Sequence, residues 1–352
     1  MPKSASKSNT KQAVQRQQPV NNASYEFSAE LLKKLVNNEE TVRNEGLEQA
    51  KNILQSRKNK IEFLELQKLW KALWFHMWHS DMPLVQQSLA RELAELVPNV
   101  DSKNRDLFIE AFWSICVREF EILDRYRINK FYMLTRFFLN AVITDILSSS
   151  IKTGSTKNEN GKRSKNGAVK VDLSRITTYS KYMTSTGPLS FSNNKYPHNL
   201  RLHLIDIYVD ECEKVFTELK LNLEDMDLEN ENAEVRQLLL ELFNPVVKQA
   251  ESSEFEHIKA RANEEVLLDE RLVSWSVVSP KTNESEQPSS SDEEHSTDAE
   301  EISDDEQPQS PGKLPQQQAD TPLKQQQAKR SKNKQPKQPK KHKTEIPFYN
   351  FD

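Results

Sequence analysis

Glycine is scarce in this chain. Of 352 residues six are glycine, at positions 46, 154, 161, 167, 187 and 312, and no grouping of them builds GxGxxG or GxxxxGK. Backbone that closely approaches a phosphate needs such glycines, so P-loop and dinucleotide-binding folds are excluded. Cysteine occurs twice, as Cys116 and Cys212. Two thiols cannot form a disulfide framework, and they fit a reducing compartment. No unbroken apolar run reaches about 18 residues, and the basic N-terminus is not followed by an apolar stretch of the secretory kind. The expectation is a soluble, intracellular protein. Apolar residues are also in short supply, at 36% against 29% charged, with a mean hydropathy of -0.79. A chain this polar does not bury its whole length, so only part of it should be ordered.

What is present is charge arranged in blocks. Residues 1–24 hold four bases and no acid, residues 283–306 eleven acids and no base, and residues 313–343 ten bases and one acid. Like charges repel and bury nothing, so these segments read as tails. Nine of the 16 prolines lie beyond residue 279 and support a boundary there. A second biased stretch, 149–170, reads SSIKTGSTKNENGKRSKNGAVK, with six bases and one acid. The expected organisation is a basic N-tail (1–24), an N-terminal helical part (25–148), a flexible basic loop (149–186), a C-terminal helical part (187–278) and an acidic-then-basic tail (279–352).

Between the tails the apolar periodicity is helical. Asn38 is an N-cap candidate for NEETVRNEGLEQAKNIL. Ile61 to His79 form a second helix, on which Leu66, Leu69, Trp70, Leu73, Trp74, Met77 and Trp78 make a wide apolar face. Ser80 or Asp81 caps a third, with Pro83 in its first turn and Pro98 at its end. Further helices carry Phe108, Phe112 and Phe120, then Phe131, Leu134 and Phe138, then Leu204 to Leu219, and then Val235 to Val246 behind an Asn232 cap. A last one starts near Ser252 or Ser253. No stretch alternates convincingly, so a sheet is not expected. The fold class is all-α, a HEAT-like α-solenoid of amphipathic helix pairs with disordered tails and an internal loop.

Candidate chemistry is thin. His76 and His79 share a helix face but lack a third metal ligand at suitable spacing, so packing or capping explains them better. Cys116 and Cys212 fall on apolar faces. GxSxG and HExxH are absent, short SxxK matches such as Ser149–Lys152 and Ser192–Lys195 arise readily in a chain rich in Ser and Lys, and the Glu39/Glu40 and Glu264/Glu265 pairs sit on polar faces. No catalytic, cofactor or metal residue is assigned, and the expectation is a protein that is not an enzyme, with no small-molecule substrate and no membrane. Two patterns carry contact potential. Trp70, Trp74 and Trp78 recur every four residues, as a core stripe or as a ridge that anchors a partner through Trp74, Trp78 and the nearby Asp81. Arg118, Arg125, Arg127, Lys130 and Arg136 cluster in sequence, either paired with Glu119, Glu121 and Asp124 or, through Arg125, Arg127, Lys130 and Arg136, forming a basic groove for rRNA or a partner. Without the loop and the tails the helical body carries a net charge of about -10, so broad attraction to RNA must come from elsewhere.

Three segments resemble one family. LWKALWFHMWHSDMPLVQQSLARELAEL (69–96), EFEILDRYRINKFYMLTRFFL (119–139) and GPLSFSNNKYPHNLRLHLIDIYVDE (187–211) are similar, in this order, to the ribosomal RNA processing protein 1 family. Trp74, Trp78, Ser80, Asp81 and Pro83 match its "W...W.SD.P" signature, and Asp124, Arg125, Arg127, Lys130, Phe131, Tyr132 and Arg136 match "DR.R..KFY.L.R". The resemblance implies a non-catalytic nucleolar factor of the pre-60S particle, needed for 27S and internal transcribed spacer processing. It also implies pre-60S assembly factors and large-subunit pre-rRNA as partners. The stretch 149–170 has no counterpart in that family. A general nuclear helical adaptor without preribosomes is the alternative. In the tail, Lys329 and Arg330 followed by Lys340, Lys341 and Lys343 approximate a bipartite nuclear-import signal. Ser289, Ser290, Ser291, Thr297 and Ser303 each precede an acid by three residues, a pattern that acidophilic kinases favour.

Overall fold

Twelve α-helices and one small hairpin make up the described part of the computed structural model, which covers residues 24–153, 169–191 and 196–279. The helices are α1 (Ala29–Leu35), α2 (Glu40–Gln55), α3 (Phe63–Trp78), α4 (Pro83–Ala94), α5 (Leu96–Asn99), α6 (Ser102–Glu119) and α7 (Ile128–Ser150), followed by α8 (Ser174–Ser185), α9 (His198–Glu218), α10 (Ala233–Ser252), α11 (Glu256–Ala262) and α12 (Glu270–Ser274). The all-α, solenoid-like expectation holds. The helices bury their apolar stripes pairwise, α1 on α2, α3 on α6, α4 on α7, α7 on α9 and α8 on α10. A strand pair was not expected. Ile151–Thr153 (β1) and Val169–Val171 (β2) nevertheless pair antiparallel, Ile151 opposite Val171. Each strand has three residues, too short to show alternation.

Helix starts differ from the expected caps where another group satisfies the free backbone. Neither Ser80 nor Asp81 caps α4, because Met82 holds the N-cap position. The Gln86 amide instead reaches back and donates to the Ser80 and Asp81 carbonyls. Asn38 does not cap α2 either; Arg43 Nη1 donates to the carbonyls of Asn37 and Asn38 and holds that turn. Pro98 lies within the short α5 rather than ending α4. The stretch expected as a loop over 149–186 contains the end of α7, both strands and α8. Gly187 is needed where α8 turns off, since a Cβ there would stand 2.8 Å from the Met183 Cα.

The tryptophan stripe is core. Trp70 is buried among Phe108, Phe112 and Phe138, with ring centroids at 4.8, 4.8 and 5.4 Å, and its indole N–H donates to the Phe108 carbonyl. A buried indole with both ring packing and a satisfied N–H is the arrangement physics favours for tryptophan. α7 runs through this core. It is the one described helix long and apolar enough to cross a membrane. Here that apolar length packs against α4, α9 and α8, with Phe131, Leu134, Phe138, Val142 and Ile146 all buried.

Candidate partner-binding surface

The basic cluster divides once it is folded. Lys130 lies two residues inside α7 and points back at the end of α3, where the last turn leaves carbonyls without helical partners. Its Nζ donates to the Trp78 and Ser80 carbonyls, both at 2.7 Å, and the residue is 5% exposed. Burial pushes the ammonium down to about 8, with Arg127 acting in the same direction against Asp81 and Asp124. Lys130 is therefore a structural tie, not a contact for rRNA or a partner. Arg136 is a second tie. Its Nε donates to Glu211 on α9 at 2.5 Å and its Nη2 stands 3.6 Å from Asp210. Asn140 and Lys214 complete the donors around the buried Glu211 carboxylate.

Arg127 and Arg125 face outward. Asp124 accepts the backbone N–H of Tyr126 and of Arg127 in a tight turn, and it pairs with the Arg127 guanidinium. The Arg127 guanidinium also lies over the half-buried Trp78 ring at 4.5 Å. Arg125 stacks at 4.7 Å on Tyr126 and donates to its hydroxyl. Of the expected pairs, Arg118 with Glu119 and Arg127 with Asp124 form, and none forms with Glu121 among the described residues. Glu119 is buried and meets Lys71 and Arg118, and Glu121 has no salt bridge among the described residues.

Of the three anchor candidates, Trp74 is withdrawn. It is 2% exposed, stacked on Phe131 with centroids 4.0 Å apart, and so presents nothing to a partner. Trp78 is covered by Arg127, and Asp81 is exposed. The apolar surface that sequence reasoning missed lies beside them. Leu84 is 80% exposed, Tyr126 78%, Met82 67% and Ile122 65%, the four highest values among large apolar residues described. All four belong to the two segments that Lys130 joins, the α3–α4 turn with the start of α4 and the turn before α7. The available signal was their place off the helical stripes, which marks apolar residues the core does not use.

The remaining candidates that are described are engaged in packing and pairing. Among the described residues no group of three or more His, Cys, Asp and Glu could hold a metal ion. Burial lowers His76 to about 4 and also lowers His79. Burial raises both buried thiols, Cys116 and Cys212. Glu264 and Glu265 both pair with Arg261. Ser149 donates to the Ile146 carbonyl and takes a hydrogen bond from Arg175, while Ser192 and Lys195 lie outside the described residues. So do Lys329, Arg330, Lys340, Lys341, Lys343, Ser289, Ser290, Ser291, Thr297 and Ser303.

α7 thus fastens together the three segments singled out by resemblance, 69–96 through Lys130 and 187–211 through Arg136. The fold and this surface define a helical, solenoid-like protein with an exposed apolar and arginine-bearing face. Residues 26–345 match the family described as nucleolar protein, Nop52, and the chain belongs to that family. It is 34% identical over 152 residues to ribosomal RNA processing protein 1 homolog B of Homo sapiens, covering 43% of this chain and 17% of that protein. Homolog A of Mus musculus is 28% identical over 191 residues, 53% of this chain and 34% of that protein. The Dictyostelium discoideum homolog is 26% identical over 191 residues, 54% of this chain and 37% of that protein. The chain therefore aligns with well under half the length of each.

Proposed function

We propose that this protein is a non-catalytic factor of ribosome biogenesis that acts in ribosomal RNA processing from the nucleolus. The observation that carries the reading is the family match across 26–345, with relatives named for ribosomal RNA processing. Within that reading, the protein works on the pre-60S particle, where it supports 27S and internal transcribed spacer maturation by holding partners in place. Asp81, Arg125 and Arg127, with Met82, Leu84, Ile122 and Tyr126, meet a pre-60S assembly-factor protein. Exposed aromatic and arginine side chains beside apolar ones are the composition of binding hot spots. Lys329, Arg330, Lys340, Lys341 and Lys343 serve nuclear import, and Ser289, Ser290, Ser291, Thr297 and Ser303 are phosphorylation sites.

The test is depletion in cells, with precursor RNAs resolved by hybridisation and subunits by sedimentation. The expected result is accumulated 27S-type precursor and a lowered ratio of 60S to 40S subunits. Purified protein incubated with spacer RNA should leave it intact. Reproducible cleavage that a single substitution abolishes would refute the non-catalytic reading.

A further inference from the structure

We propose that the cleft between the α2–α3 turn and the start of α6 holds the phosphate backbone of RNA. This rests on the pre-rRNA reading above and gives it a place. Residues 51–60, KNILQSRKNK, hold four cations and no acid. That run is exceptional in an acidic body: residues 25–148 hold 17 cations against 18 acids, and residues 171–278 hold 11 against 20. Two of the four cations are engaged, Lys51 with Glu48 and Glu92, and Lys60 loosely with Glu62. The other two, Arg57 and Lys58, form no ion pair among the described residues.

The fold adds a further cation to Arg57. Lys103, in the first turn of α6, donates its ammonium to the Arg57 carbonyl, which pins it to the turn that carries the guanidinium. Lys103 also lacks a carboxylate partner among the described residues. Both line a cleft of about 670 Å3 with Gln55, Asn99 and Asp101. Lys103 is held at the turn that carries Arg57, and the two cations outnumber the one unpaired carboxylate of the lining, Asp101, so the local potential favours an anion in the cleft.

The other charged groups of the cleft are already committed. Arg105 spends its N–H groups on the Pro98 and Val100 carbonyls and on Asp145, so it forms the wall and is not a ligand. Asp101 caps α6 by accepting the Lys103 backbone N–H, and the helix terminus is therefore not offered to an anion. Recognition falls on the side chains of Arg57 and Lys103.

The cleft favours RNA over a protein. Val100, the apolar residue in its lining, is 1% exposed, so the cleft presents no exposed apolar residue of the kind that anchors a protein partner. Phosphates need only fixed cations and no shape-matched pocket. The cleft also lies away from the apolar contact face. Arg105 meets Asp145, 17 residues along α7 from Ile128, which at the helical rise is about 25 Å from the turn that bears Arg125 and Tyr126.

The experiment uses the full chain with Arg57→Glu and Lys103→Glu together. A charge-matched control carries Lys33→Glu and Lys181→Glu, two exposed positions elsewhere. Binding of a fluorescein-labelled RNA hairpin is followed by anisotropy across a salt series, and thermal melting verifies folding. The basic tail contributes the same background to every protein. The cleft variant should bind at least about tenfold more weakly, and its log–log salt slope should flatten by about 1.8, the share of two phosphate contacts. The control should change by less than about twofold. If the reversed pair fails to fold, Arg57→Gln with Lys103→Gln takes its place, with the same readouts and a loss of about threefold. Equal losses in cleft variant and control would overturn the proposal. Unchanged RNA affinity with lost capture of an assembly-factor protein would overturn it in favour of a protein site. Wild-type protein that does not co-sediment with large-subunit precursors refutes the function itself. Normal co-sedimentation with unchanged RNA affinity in the variant refutes the cleft alone.

Discussion

Lys130→Met tests the tie between α3 and α7. Methionine keeps an unbranched stem of similar length and removes the ammonium, so packing changes little and the polar loss dominates. The Ser80 carbonyl keeps the Gln86 amide as a donor at 2.9 Å, whereas among the described residues Lys130 is the side-chain donor to the Trp78 carbonyl. Losing two charge-assisted hydrogen bonds and orphaning one buried carbonyl costs about 3–4 kcal/mol. Relief of the ammonium's own desolvation offsets part of this and leaves about 2 kcal/mol. For a helical body of this size, that lowers Tm by about 4–8 °C in a calorimetric melt. The pH dependence gives a second readout. Lys130 sits at about 8 in the folded protein, against an ordinary 10.5. Between those values the unfolded chain binds more protons, so wild-type stability rises with pH across the window, and the variant lacks that rise. A Tm within about 1 °C of wild type would refute the tie, because such a shift corresponds to well under 1 kcal/mol. Lys130→Glu would set a carboxylate against two carbonyl oxygens, and charge reversal there therefore reports on folding, not on partner binding.

Three further outcomes are expected. His76 is held at about 4 by burial against an ordinary 6.5, so roughly 3 kcal/mol of stability present above pH 6.5 is lost as pH falls towards 4. His76→Gln should flatten that loss in urea midpoints taken across pH, and an unchanged acid profile would contradict it. Arg125→Ala with Tyr126→Ala removes exposed groups only, so Tm should hold within about 2 °C while capture of pre-60S proteins falls at least about tenfold; normal capture would return this face to plain solvent exposure. Arg136→Ala leaves Glu211 with Asn140 and Lys214, and because the arginine is partly solvated the loss should be about 1–2 kcal/mol by chemical denaturation. A neutral result there would mean that apolar packing and the remaining α7–α9 hydrogen bonds hold the two helices without the arginine.

Much of this protein follows from local pattern. The spacing of Leu66, Leu69, Trp70 and Leu73 makes a helix with one apolar face, and a polar chain with few such stripes has nowhere else to bury them. The scarcity of glycine excludes phosphate loops without any coordinates, whereas the choice between core and partner ridge for Trp74 stays open until its burial against Phe131 is seen. The Asp124 turn is local as well, since an aspartate accepts backbone N–H groups two and three residues on.

What the pattern left open is decided by residues far apart in the chain. Lys130, Arg127, Arg125 and Arg136 are equivalent as a sequence cluster, yet the structure separates them. Lys130 meets carbonyls some 50 residues back, Arg136 meets a carboxylate 75 residues ahead, and Arg125, among the described residues, meets its neighbour Tyr126. A long flexible cation is amphipathic, and periodicity does not tell whether its charged end points to water or to an orphaned helix terminus. The same holds for Met82, Leu84, Ile122 and Tyr126. Their place off the helical stripes marks them as residues the core does not use, but only the packing of the two turns that Lys130 joins shows that they lie on one exposed face. Arg57 and Lys103 likewise become a pair only when α6 packs against the end of α2, because electrostatic potential depends on separation in space and not along the chain.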